Sequence, residues 1–362
     1  MKLWDEYYER RYHIEMEADP DRLRMVNLHS QAWELIESHP DTAAKMLLNA
    51  QELANQLHEP WWAFFYGVWH VIVVIYHQLA FTDVLEHAIE CTLTALKPEG
   101  LEHPWRIAAF RNLGRVYEMI DAVGYAEKIH ETFNYLEDLI PPGPGGDRYV
   151  YLESKSSFAV ALGQYEEALA AAQENLDLVQ QTAGTFDYNV WYDLNAHMSF
   201  CSAYFQSKNW DGLRQYLPNS EALARKHPKR QSTLGEVLLL QAILLKREKK
   251  DAAAERLRRQ GETIRTRLGK IPSGVYFNGT AYYHQLGNDW AEALQVRETE
   301  LQTIQGRGMF GWEADSNLER CGVLAKLGQL SDEALDQART AIRRLRKPEE
   351  LLKKLEVIAK PE

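Results

Sequence analysis

The chain has 362 residues, 45% of them hydrophobic and 26% charged, with a formal net charge of −11. That apolar content supports a packed core and excludes disordered and fibrous classes, and the length suits two or three ordinary domains or one elongated repeat structure. The N-terminus, "MKLWDEYYERRYHIEME", lacks the apolar run of a secretory signal, and Cys91, Cys201 and Cys321 stand far apart with no CxxC pairing, so a reducing, cytoplasmic setting is expected.

In chain order, residues 1 to about 21 hold one short helix, expected to act as an N-terminal cap. The stretch "PWWAFFYGVWHVIVVIYHQLAFT", Pro60 to Thr82, then runs 23 residues without Asp, Glu, Lys or Arg. As one helix it would be about 34 Å long, enough to cross a bilayer. It carries His70, His77, Gln78 and Gly67, and its flanks are acidic rather than basic, which argues against a span. "PPGPGG", residues 141–146, ends a helix and is expected to act as a hinge. Residues 1–207 carry 13 basic against 31 acidic groups, whereas residues 208–270 carry 16 against 7. The basic segment, with "LLKREKKDAAAERLRRQ", interleaves Glu with Lys and Arg, the pattern of a solvated helix face. "KPEELLKKLEVIAKP" reads as a charged C-terminal cap. Prolines in "SHPD", "LHEPW", "LEHPW" and "RKHPKR", with Pro348, mark turns and helix starts.

Self-similarity organises these pieces. "KSSFAVALGQYEEALAAAQENL" reads as a helix, a turn at Gly163-Gln164, and a second helix carrying Ala168; "HQLGNDWAEALQVRE" and "AKLGQLSDEALDQAR" repeat it with one extra residue in the turn. Anchors fall at Ala44, Val84, Ala126, Ala168, Leu213, Ala254, Ala293 and Ala334, about 41 residues apart. Twelve residues before each stand Ala32, Ile72, Gly114, Ser156, Cys201, Ala242, Ala281 and Gly322. Small side chains at both positions let two helices approach closely, and only Ile72 breaks the first-helix pattern.

This pattern resembles the tetratricopeptide repeat, in a long-period form similar to the kinesin light chain and the cytoplasmic peptide-pheromone receptors of bacteria. The resemblance implies an all-α, right-handed α-solenoid of about eight helix pairs with terminal capping helices. The expected division is a cap and repeats 1–3 over residues 1–140, the hinge at 141–146, repeats 4–8 over 147–346, and a final cap over 347–362.

No catalytic machinery, metal site or cofactor is expected. "GRGMFG", residues 306–311, matches GxGxxG but joins two helices instead of succeeding a strand. His70 with His77, and Asp83 with His87, give two ligands on one helix, which is not a metal site. The first helix of each pair is expected to line a concave groove, and counting from the anchors places Val26, His29, Trp33 and Ile36, then Tyr66, Trp69, Val73 and Tyr76, then Ala108, Arg111, Arg115 and Glu118 on it. The same register adds Asn195, Met198, Phe205, Asn278 and Tyr282. The partner-binding residues expected from this are Trp33, Tyr66, Trp69, Tyr76, Arg111, Arg115, Asn195, Asn278 and Tyr282. An aromatic wall beside two arginines suits a peptide with apolar anchors and a carboxylate, and packing against neighbouring repeats accounts for the same aromatics equally well. In the pheromone receptors groove asparagines bond an extended peptide backbone, a role the resemblance implies for Asn195 and Asn278. The function expected is a non-catalytic protein- or peptide-binding scaffold. The alternatives are a peptide- or small-ligand-responsive regulator without a DNA-binding domain, and, third, an RNA-binding solenoid using residues 208–270. The apolar second repeat is also a candidate homo-oligomer contact.

Overall fold

The computed structural model describes residues 2–185, 188–227, 231–268 and 274–360, and among them every regular element is a helix. The fold is an all-α solenoid in which successive helices pack as neighbours, divided into two compact units. The first unit comprises residues 1–120, 126–140 and 306–309; the second comprises 121–125, 141–305 and 310–362.

The first unit opens with α1 (Lys2–Glu17), then pairs α2 (Pro20–Leu35) with α3 (Pro40–Gln56), α4 (Pro60–Val73) with α5 (Phe81–Ala95), and, after the one-turn α6 (Pro98–Leu101), α7 (Arg106–Asp121) with α8 (Ala126–Leu139). The second unit pairs α9 (Gly146–Ala161) with α10 (Tyr165–Gln181), α11 (Val190–Gln206) with α12 (Trp210–Lys226), α13 (Gln231–Arg247) with α14 (Asp251–Leu268), α15 (Gly274–Leu286) with α16 (Trp290–Ile304), and α17 (Phe310–Lys326) with α18 (Asp332–Arg343), ending in α19 (Glu349–Ile358).

Local chemistry starts these helices where the sequence indicates. Pro20, Pro40 and Pro60 occupy first-turn positions, where a missing N–H costs nothing, and the Asp19 carboxylate caps α2 by accepting from the N–H groups of Asp21 and Arg22. Pro104 lies in the turn before α7 and Pro348 at the N-cap of α19. Pro228 of "RKHPKR" lies outside the described residues.

The paired small positions are where the helices touch. Ala32, Ser156, Cys201, Ala242 and Ala281 are all buried, and the Ser156 hydroxyl donates to the Ala168 carbonyl at 3.0 Å. Three repeats depart from the register. In the third pair Ala126 is only half-buried, and a Cβ on Gly114 would meet Thr132 Cγ2 at 3.6 Å. In the eighth pair Cys321, not Gly322, faces the anchor, its Sγ 3.5 Å from the Ala334 oxygen, because the turn is one residue longer. In the second pair Ile72 is only half-buried, and the tight spot is Gly67, where a Cβ would lie 2.7 Å from Gln51 Nε2 and 3.1 Å from Cys91 Sγ.

The charge-free stretch is not one helix. α4 ends at Val73, a π turn spans Val74–Gln78, and Leu79 at φ 58 reverses the chain before α5. No described helix is long and apolar enough to cross a membrane. Gly308 of "GRGMFG" serves packing against this turn: the neighbouring Arg307 donates to the Gln78 oxygen at 2.7 Å, its carbonyl accepts from the Phe81 N–H, and Gly308, at φ 72, sits where a Cβ would be 2.8 Å from the Thr82 nitrogen.

Candidate functional site

In the first unit an aromatic surface is assembled from three consecutive repeats: His29 and Trp33 of α2, Trp61, Trp62, Phe65 and Trp69 of α4, and Trp105 in the turn before α7. It is covered by α1. Trp4 contacts Trp33, Trp69 and Trp105, with ring centroids 5.9, 5.8 and 5.5 Å away. One turn later Tyr7, only 3% exposed, stacks on Phe65 at 5.1 Å and meets Trp62 edge-on at 5.6 Å. Its hydroxyl lies 3.0 Å from His29 Nδ1 and accepts from Arg11, which also donates to the Ser30 hydroxyl. The Arg10 guanidinium sits 4.7 Å from the Trp61 ring centroid, a cation–π contact, and Ile14 is buried. Aromatic pairs of this geometry contribute about 0.5–1.5 kcal/mol each beyond their buried area.

Not every polar atom under α1 is paired. The indole nitrogens of Trp61, Trp69 and Trp105 and Nε2 of His29 are buried without a hydrogen-bond partner. Such an orphan group costs about 1–3 kcal/mol. Burial, with the Arg11 charge adding to it, holds His29 down at about 4, and His103 is lowered to about 4 by burial against the opposing bond to the Trp61 carbonyl. His70 is likewise lowered to about 4 by burial and then by His87, whose ring packs edge-on at 4.9 Å.

The expected groove residues divide by environment. Trp33 and Tyr76 are each half exposed. Trp69 is buried between Trp4, Trp33 and Trp105, and Tyr66 is fully buried, stacked on Trp62 and donating to the Met25 carbonyl. Val26, Val73 and Ala108 are buried too, so much of that helix face packs against neighbouring helices. Arg111 and Arg115 on α7 are half-buried, and Arg115 pairs with Glu118 at 2.8 Å.

In the second unit the expected residues are committed to internal partners. Asn195 donates to Glu153 at 2.9 Å, and the Asn278 oxygen accepts from Arg297 at 2.7 Å. Arg297 in turn holds Glu300 at 2.7 Å; both are buried, and the Trp312 indole N–H completes the Glu300 carboxylate at 2.6 Å. Tyr282 stacks parallel on Trp210 at 5.5 Å, its hydroxyl accepts from Arg247, and the Lys208 ammonium lies 4.7 Å from its ring centroid. Burial lowers the Lys208 ammonium, with Glu319 opposing and Arg297 and Arg247 reinforcing. A polar crevice of about 1040 Å³ lies among α16, α17 and α18, bridged by Arg344–Glu313 and Arg320–Gln337 contacts.

Among the described residues no three His, Cys, Asp or Glu side chains are placed to hold a metal ion. Burial pushes the thiols of Cys91 and Cys201 up to about 12, so both are protonated at neutral pH.

The residues that sequence reasoning missed are those of α1. The spacing of Trp4, Tyr7, Arg11 and Ile14 puts them on one helical stripe, a signal that was present in "WDEYYERRYHI". Searched against known proteins, the chain matches no family model and no curated protein.

Proposed function

We propose that the protein is a non-catalytic, tetratricopeptide-like scaffold of the cytoplasm that binds a protein or peptide through the faces of its first-of-pair helices. The observation that supports this reading is the seating of α1 across α2, α4 and Trp105 by aromatic anchors and a cation–π contact, which is helix-in-groove recognition carried out within one chain. A surface rich in Trp and Tyr with flanking Arg has the composition of an interaction hot spot.

Affinity capture from the native cell with quantitative mass spectrometry tests it. The intact chain is expected to enrich a defined partner, and Trp33→Ala, at a half-exposed position on this surface, to deplete that partner at least fivefold while the melting temperature stays within about 2 °C. Undiminished capture by Trp33→Ala overturns the surface assignment, and failure of the intact chain to enrich any protein or peptide overturns the scaffold reading.

A further inference from the structure

Helix α1 is held the way a ligand is held. Most of its contacts run along one stripe, Trp4, Tyr7, Arg11 and Ile14, at positions i, i+3, i+7 and i+10, with Arg10 reaching Trp61 from the flank, and they reach side chains of three consecutive repeats. The stripe beside it stays open: Tyr8, Tyr12 and Met16 are 62, 58 and 67% exposed. Its link to α2 is Ala18, whose φ of 55 is a left-handed conformation that L side chains disfavour.

The seat also asks for more than α1 supplies. Trp69 and Trp105 are more than nine-tenths buried and their indole N–H groups have no acceptor, and Nε2 of the equally buried His29 is unpaired. A helix that belonged permanently to this surface would gain by carrying a carboxylate or amide there, because buried donors are satisfied in the great majority of native structures.

We infer that the surface of α2, α4 and Trp105 is the binding site for an amphipathic helix of a partner protein, with aromatic anchors at i and i+3, a cation at i+7, an aliphatic residue at i+10 and carboxylate or amide acceptors between them, and that α1 occupies it as an internal stand-in which such a helix displaces. This rests on the partner-binding reading above and specifies both the partner's chemistry and the site's regulation. Binding competes with a tethered helix, so the free site is a fraction of the population and the apparent affinity falls by that fraction.

The test uses the full chain with Trp4→Ala and Tyr7→Ala together, and a fluorescent peptide of residues 2–17. The peptide is expected to bind this variant at least tenfold tighter than it binds the intact chain, and a peptide with the same two substitutions to bind neither. A variant that keeps its helical circular dichroism and does not bind the peptide overturns the inference. Hydrogen exchange of the intact chain decides independently of how the variant folds: α1 amides are expected to exchange at least a hundredfold faster than those of α4, and equal protection makes α1 a permanent part of the core and overturns displacement. Peptide binding together with an empty capture experiment removes the scaffold reading and leaves the seat; no peptide binding with successful capture removes the seat alone.

Discussion

Tyr7 shows how one side chain links the N-terminal helix to the first repeat. Its ring supplies the buried area, while its hydroxyl accepts from Arg11 and is within bonding distance of His29 Nδ1. Tyr7→Phe keeps the ring and deletes the relay, leaving a buried imidazole nitrogen unpaired. The expected loss is about 1–2 kcal/mol, read as a lower urea midpoint at unchanged slope; an unchanged midpoint would show that the relay contributes nothing net. Trp4→Ala removes a larger body from among three indoles and is expected to cost about 3 kcal/mol at most, less than a fully enclosed tryptophan, because α1 can peel away.

At the scale of the element, the turns between paired helices were only partly legible. "LGQY" and "LGQL" announce Gly163 and Gly328, and both adopt left-handed φ, at 73 and 67. The same conformation is taken by His58 at φ 57, Lys208 at 59 and Lys249 at 60, where no glycine advertises it, and by Asn288 at 59. In "LGNDW" it is Asn288, not the glycine before it, that makes the reversal, which is how the extra turn residue is absorbed. Helix existence and pairing were readable because alanine-sized contacts recur at a fixed period and survive such substitutions. Side-chain exposure was not, since the same helix face meets solvent at Trp33 and a neighbouring helix at Tyr66, and only the arrangement of adjacent repeats and of α1 decides which. Lys249 is exposed, so Lys249→Gly changes little besides the backbone. Relief of the left-handed penalty, about 1–2 kcal/mol, outweighs the entropy glycine adds to the unfolded chain, about 0.5–1 kcal/mol. A gain of about 0.5–1 kcal/mol in denaturant midpoint analysis is expected, and a loss would mean the lysine side chain holds the turn. Gly308→Ala is the converse: φ 72 and the Thr82 backbone nitrogen both resist a methyl group, and a loss of about 2–3 kcal/mol is expected by the same assay.

For the molecule as a whole, the uneven distribution of buried histidines makes the two units differ in their response to acid. His29, His70 and His103, each lowered to about 4, all belong to the first unit; in the second, His197 is lowered by burial with Asp193 opposing, and His284 by burial and then the Arg258 charge, with nearby acidic groups opposing. A histidine depressed in the folded state binds its proton first in the unfolded chain. Stability from keeping it neutral is therefore complete above the unfolded value near 6.5 and is lost as pH falls through the window down to about 4. For His29 and His103, both 4% exposed, the slope reaches about 1.4 kcal/mol per pH unit each. Protonating His29 also sets a second cation against the Arg11 guanidinium on the other side of the Tyr7 hydroxyl, so α1 loosens in the same window. Six of the ten tryptophans, Trp4, Trp33, Trp61, Trp62, Trp69 and Trp105, lie in the first unit and report on it. Thermal melts from pH 7.5 to 4.5 are expected to show the tryptophan-fluorescence transition moving down earlier and more steeply below pH 6.5 than the helical signal at 222 nm, with His103→Gln removing part of the slope. Coincident transitions at every pH would show that the units unfold as one cooperative body and that these histidines do not set the acid limit.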